Sequence, residues 1–226
     1  MTKVYQYANR ISSIINWVRF RKNKVHANCL FNSLKINGSN NVVKTGSIRH
    51  CKISITGNNN MIYIGEYGHI NKCEFCISSS NSSIHIGVHN TILNSLFSVL
   101  DDFSTIRLGK DGYVGGARFF SIGKNNQIVI GDNFLFSDNI DLWNGDGHPI
   151  IDNTSMNRIN EDKPIQIHDN VWIGTGSIIL KGVNISENSI IGSKSLVTND
   201  VPANTLVAGN PAKPIKNNIS WKRERN

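Results

Sequence analysis

The chain has 226 residues, a hydrophobic share of 39%, an aromatic share of 8% and a formal net charge of +8, enough to bury a core in one large domain or two small ones. Apolar content this thin, rich in β-branched residues and interleaved with Asn, Gly and Ser, excludes a thick helical bundle and suits a narrow interior. The basic balance favours anionic partners, yet no helix-turn-helix, zinc-finger or aromatic-basic pattern accompanies it, so nucleic acid is not expected as a partner.

Residues 1–28 read as a short amphipathic helix (Val4, Tyr7, Ile11, Ile14, Ile15, Val18) ending in the basic run RFRKNK. The expected role is a cap over the first layer of the domain that begins at residue 29. This segment lacks the uncharged apolar stretch and cleavage site of a signal peptide. No apolar run reaches the roughly 18 residues of a transmembrane helix, so the expected compartment is the cytoplasm. Cys29, Cys51, Cys73 and Cys76 are too sparse for a disulfide framework. The C-x-x-C pair Cys73–Cys76 has no second pair at zinc-like spacing and is read as structural.

From residue 29 to residue 212 one repeat organises the chain. It is clearest where Ile167, Ile173, Ile179, Ile185, Ile191 and Val197 follow one another at six-residue intervals. Neither a 3.6-residue helix nor a two-residue strand alternation has that period. It matches an all-β parallel β-helix in which each face of a triangular coil takes one hexapeptide, the aliphatic residue pointing inward. Looser copies precede it, among them Ile84-His85-Ile86-Gly87 and Val129-Ile130-Gly131-Asp132, and the count slips at residues 51–60. Asn suits the corners because it tolerates left-handed backbone angles. Residues 138–164 interrupt the pattern and form an expected protruding loop, of the length that in a compact repeat array is usually functional. Residues 213–226 leave the repeat as a basic tail that packs outside it or frays.

The aliphatic-Gly repeats, the segment Asn170-Val171-Trp172-Ile173-Gly174 and the closing stretch Asp200-Val201-Pro202 through Val207-Ala208-Gly209-Asn210-Pro211-Ala212-Lys213 resemble the hexapeptide-repeat acyltransferases. Within that family, Asp146-Gly147-His148-Pro149-Ile150 on the interrupting loop is similar to the O-acetyltransferases of bacterial surface polysaccharides, capsule, lipopolysaccharide and polysialic acid modifiers included. The resemblance implies a left-handed coil, a homotrimer with active sites between subunits, acetyl-CoA as co-substrate and a glycan acceptor, acidic or neutral.

O-acetyl transfer needs a base for the acceptor hydroxyl, and histidine has the appropriate pKa. His148 is the candidate, flanked by Gly147 and the rigid Pro149, with Asp141, Asp146 and Asp152 as possible orienting carboxylates. The resemblance implies a second catalytic residue in Trp172, as a wall of the acetyl and acceptor pocket; Trp143 is a separate candidate for stacking on a sugar ring. For acetyl-CoA the expected set is Asp146, Gly147, Gly174, Thr175, Gly176, Ser193, Lys194, Ala208, Gly209 and Lys213. Small residues there would admit pantetheine and the lysines would meet phosphates, although the glycines also serve the turns. A γ-class carbonic anhydrase would need three histidines on adjacent coils. His85 and His89 lack an evident third, and no metal is expected. A nucleotide-sugar N-acetyltransferase would share fold and base, and a non-enzymatic acidic-glycan-binding solenoid would share fold and charge.

Overall fold

The computed structural model describes residues 22–224. Two long strands, Lys24–Asn37 and Val42–Thr56, lead into strands of two to six residues. Up to the last coil these pair in parallel from one coil to the next, so the chain winds into three ladders. The first face contains Met61–Ile64, Ser83–Ile86, Thr105–Leu108, Gln127–Ile130, Ile165–Ile167 and Asn184–Ile185. The second contains His69–Asn71, Thr91–Leu93, Tyr113–Val114, Leu135–Phe136, Trp172–Ile173, Ile190–Ile191 and Thr205–Gly209. The third contains Glu74–Ile77, Leu96–Val99, Ala117–Ser121, Ile140–Trp143, Ile178–Leu180 and Leu196–Val197. The fold is the expected left-handed parallel β-helix, closed by the antiparallel strand Ala212–Asn217. Most of the helix expected over residues 1–28 lies outside the described residues, and from Lys24 that segment is strand.

Coil length is where sequence and structure part. The six-residue step holds from Ile167 onward, where one coil takes 18 residues, as Ile167 pairs with Ile185. Between Ile62 and Ile128 the coils take 22, with Ile62, Ile84, Ile106 and Ile128 in register. These middle segments are therefore longer, uneven turns rather than degraded hexapeptides. The wider cross-section is filled by aromatic rings. Phe75, Phe97 and Phe119 are fully buried and stack face to face with centroids 5.1 and 4.5 Å apart, close to the strand spacing of about 4.8 Å. The 18-residue coils hold only Ile and Val inside. Gly112 belongs to the same accommodation, because a Cβ there would lie 2.0 Å from the Phe134 ring.

Polar ladders satisfy the corners. Asn60 N donates to Asn41 Oδ1, Ser82 N to Asn60 Oδ1, Ser104 N to Ser82 Oγ and Asn126 N to Ser104 Oγ, all buried. Backbone groups that the turns would leave unpaired are thus bonded by side chains of the preceding coil. Each corner also needs a left-handed residue. Along one edge these are Tyr67, His89, Asp111, Asn133, Asn170, Asn188 and Asn204, with φ between 54° and 61°.

Candidate functional site

The insertion is confined to one turn. Residues 128 and 165 pair across the first face although 37 residues separate them. The expected loop of 138–164 is narrower in the structure, because Ile140–Trp143 forms a third-face strand with Ile140 and Leu142 buried. Two inward residues are too few to register as a period. The protruding segment is 144–164, at the corner between the third and first faces.

This segment has a polar core of its own. Asn160 is buried, its Nδ2 donating to Asp146 Oδ2 at 2.6 Å and to the carbonyl of His148 at 2.8 Å. Its Oδ1 accepts from Ile150 N at 2.6 Å. Arg158 donates to the carbonyl of Asn160 and to Asp162. Lys181, one coil on, donates to Asp146 Oδ2 at 2.5 Å and to the carbonyl of Asn160 at 3.1 Å. The Lys181 ammonium holds the Asp146 carboxyl below its ordinary range against opposing desolvation, with the Asn160 amide adding to the lowering. Residues 150–159 form a hairpin, with Ile151 and Arg158 bridged and Asp152 capping its turn through Thr154 N and Ser155 N.

His148 is exposed on the rim of a cleft of about 260 Å³, lined also by Asp101, Gly123, Lys124, Arg158 and Asp162. Gly147 before it has φ +75° and open space beside it, so the constraint there is backbone conformation, not room. None of the three carboxylates named from the sequence pairs with the imidazole among the described residues. Asp141 is held by Arg118 at 2.7 and 2.5 Å, Asp146 by Lys181 and Asn160, and Asp152 by its own turn. Asp101 and Asp162 are the acids that share the cleft, and sequence reading named neither. Asp101 accepts from Gly123 N at 2.8 Å. Asn160, Lys181 and Arg158 were missed as well. Buried amides and lysines at corner positions have no signature in a six-residue period.

Trp172 lies elsewhere. It faces outward from the second face, 37% exposed, between Leu135 and Ile190 on the neighbouring coils. Its aromatic neighbour is Trp221 of the tail, with centroids 6.2 Å apart. Trp143 is half-buried on the third face and stacks on Phe120 at 4.0 Å. One chain therefore puts His148 and Trp172 on different sides of the β-helix.

The residues expected to hold acetyl-CoA divide in the same way. Gly174, Thr175 and Gly176, then Ser193 and Lys194, then Ala208 and Gly209 occupy the corner after the second face in three successive coils. A Cβ at Gly174 would lie 2.6 Å from Ser193 N, Lys194 N donates to Thr175 O at 2.8 Å, and Gly209 N donates to Ser195 Oγ at 3.2 Å. Gly174 is thus required by contact between coils. Lys213 is exposed on the closing strand, paired with Ala208. Asp146 and Gly147 belong to the loop at the other corner.

The charge is uneven. Residues 1–137 carry 15 Lys and Arg against 6 Asp and Glu, and residues 138–226 carry 9 against 10. An outward row on the first face joins Lys44, Tyr63, His85 and Arg107, with Tyr63 stacked on His85 at 4.7 Å. Burial, and then Arg107, lower the pKa of His85. His89 sits instead at a corner, 3.4 Å from Asp111. Cys73 points into the core beside Cys51, whereas Cys76 faces outward, so the C-x-x-C thiols diverge. Among the described residues no group of three His, Cys, Asp or Glu is placed to hold a metal, and no helix is long and apolar enough to cross a membrane.

Residues 164–199 match the family model described as bacterial transferase hexapeptide (six repeats). The galactoside O-acetyltransferase of Escherichia coli K12 is 42% identical over 89 residues, 39% of this chain and 43% of that protein. The polysialic acid O-acetyltransferase of Escherichia coli O1:K1 is 39% identical over 108 residues, 48% of this chain and 35% of that protein. These matches span less than half the length of the curated relatives. A solved structure of a polysialic acid O-acetyltransferase superposes with a TM-score of 0.80 at 27% identity, over 87% of this chain and 93% of that one. Residues 164–199 thus carry a hexapeptide repeat, and the sequence and fold of the chain resemble those of acetyltransferases, polysialic acid O-acetyltransferases among them.

Proposed function

We propose that the chain is an acetyl-CoA-dependent O-acetyltransferase that acetylates a hydroxyl of a bacterial surface glycan, with His148 as general base. The observation that carries this reading is the placement of His148. It stands at an open cleft on an insertion fixed by Asn160 and Lys181, which makes the longest coil among the described residues. In this reading the imidazole takes the proton of the acceptor hydroxyl as its oxygen bonds to the acetyl carbonyl. The thioester carbon–sulfur bond then breaks and the proton passes to the departing thiolate. Trp172 walls the acetyl and acceptor pocket, and the corner of Gly174, Ser193 and Ala208 takes the pantetheine, with Lys194 and Lys213 toward the phosphates.

Because His148 and Trp172 diverge within one chain, the reading requires that a neighbouring copy complete each site, as in a homotrimer with sites between subunits. The excess of cations over residues 1–137 favours an acidic glycan. The free thiols of Cys51, Cys73 and Cys76 suit a reducing cytoplasm. The test is release of free thiol from acetyl-CoA across a panel of acidic and neutral bacterial polysaccharides. Thiol release with one glycan, lost in His148→Ala, is the expected result. Coenzyme A binding without transfer to any polysaccharide would move the acceptor to a nucleotide sugar. A protein that binds no coenzyme A would overturn the reading.

A further inference from the structure

The basic tail is a strap with defined seats. After the strand Ala212–Asn217 the chain turns at Asn218, with φ 56°, and runs back along the corner of left-handed residues. Ile219 N donates to the carbonyl of Asn204 at 3.0 Å. The indole Nε1 of Trp221 donates to the carbonyl of Asn170 at 2.7 Å. Arg223 donates to the carbonyls of Asp111 and Phe134 at 2.9 and 3.1 Å and to Asn133 Oδ1 at 3.2 Å. Trp221 is 9% exposed, which makes it the anchor of the strap.

Its aromatic neighbour is Trp172. The two indoles are tilted by 52°, and Trp172 stays 37% exposed, covered on the side of the strap and open on the other. Between strap and corner lies a cleft of about 300 Å³ lined by Asp111, Asn133, Asn170, Trp221 and Arg223. A tryptophan on the outside of a flat sheet has several rotamers open to it, and any ligand that uses one must order it. A fixed neighbouring ring removes that cost before the ligand arrives.

We propose that Trp221 is a positioning residue, which holds the Trp172 indole in place as a wall of the acceptor pocket and closes that pocket on one side with the strap. This rests on the reading of Trp172 as a pocket wall. The hydrogen bond from Trp221 to Asn170, two residues before Trp172, ties the strap to the corner that leads into the strand of Trp172. Among the described residues the hydrogen bonds of the strap run to Asn204, Asn170, Asp111, Asn133 and Phe134, and none to the loop of His148 or the corner of Gly174 and Ser193, so its influence falls on the acceptor and not on acetyl-CoA.

The test uses the full chain with Trp172→Ala, Trp221→Ala and Trp221→Phe, measured with the polysaccharide that supports thiol release. Trp221→Ala is expected to raise KM for the acceptor on the order of ten-fold, leave KM for acetyl-CoA unchanged and shift Trp172 fluorescence toward that of a solvated indole. Trp221→Phe, which keeps an aromatic ring and loses the bond to Asn170, should fall between. An unchanged acceptor KM in both Trp221 variants, with Trp172→Ala impaired, would overturn the proposal and leave the pocket reading intact. A silent Trp172→Ala would overturn both. Should Trp221→Ala unfold, Trp221→Phe decides, because a folded variant with unaltered acceptor KM and fluorescence counts against the strap.

Discussion

Lys181, in the turn after the third-face strand Ile178–Leu180, donates to Oδ2 of Asp146 at 2.5 Å and so ties the base of the His148 loop to the next coil. Asp146 also receives Asn160, whose other amide hydrogen supports the carbonyl of His148. The loop is therefore held by a charge that titrates. The Lys181 ammonium depresses the folded-state pKa of Asp146, so the pairing stabilises the loop at pH values above the ordinary carboxylate range. That stabilisation is lost as pH falls through the depressed value. Hydrogen-exchange protection of the Ile150 amide, which donates to Asn160 Oδ1, should drop in that acid window. Asp146→Asn should show the low protection already at neutral pH. Equal protection in the two proteins at neutral pH would show that the charge does not hold the loop.

His148→Ala should lower kcat by roughly 10²–10⁴-fold, the range of a general base, with an unchanged melting temperature because the side chain is exposed. Asn160→Ala removes no reacting group. It should lower kcat less and also loosen residues 146–150, because a buried amide and its partners lose their bonds. Circular dichroism melting and steady-state rates on the two variants separate the roles. A folded His148→Ala enzyme at full rate would remove the residue from the chemistry.

Tyr67 occupies a left-handed corner, φ 61°, at 80% exposure. From Asn133 onward the same edge carries asparagine. A bulky residue there costs about 1 kcal/mol that Asn largely avoids. Tyr67→Asn should raise stability by a similar amount, less what the Tyr67–His89 contact at 5.5 Å contributes. Urea unfolding measures it, and a lowered midpoint would show that the ring contact outweighs the backbone strain.

Phe97 lies between Phe75 and Phe119 in the wide coils, with no exposed surface. Phe97→Ala should destabilise the protein by about 3–5 kcal/mol, since a rigid coil cannot collapse onto the cavity. Ile173→Val in the narrow coils should cost only about 0.5–1.5 kcal/mol. Similar losses in both would contradict the division of the core into aromatic and aliphatic parts.

The sequence by itself determined the solenoid. An aliphatic residue at every sixth position from Ile167 to Val197 can be buried together only if each faces the same axis. Asparagine at the corners follows from the left-handed turns that such a path requires. The single long interruption and its histidine were also legible, because a break in a strict period stands out. Coil width was not legible, since the extra residues of the 22-residue turns fall at corners and leave no period. The strap was not either, because Trp221 gains meaning only from the carbonyl of Asn170, 51 residues away in sequence. The partition of His148 and Trp172 is likewise tertiary. Twenty-four residues separate them in the chain, but face and corner are set by the winding of the coil, and the winding carries them to different sides.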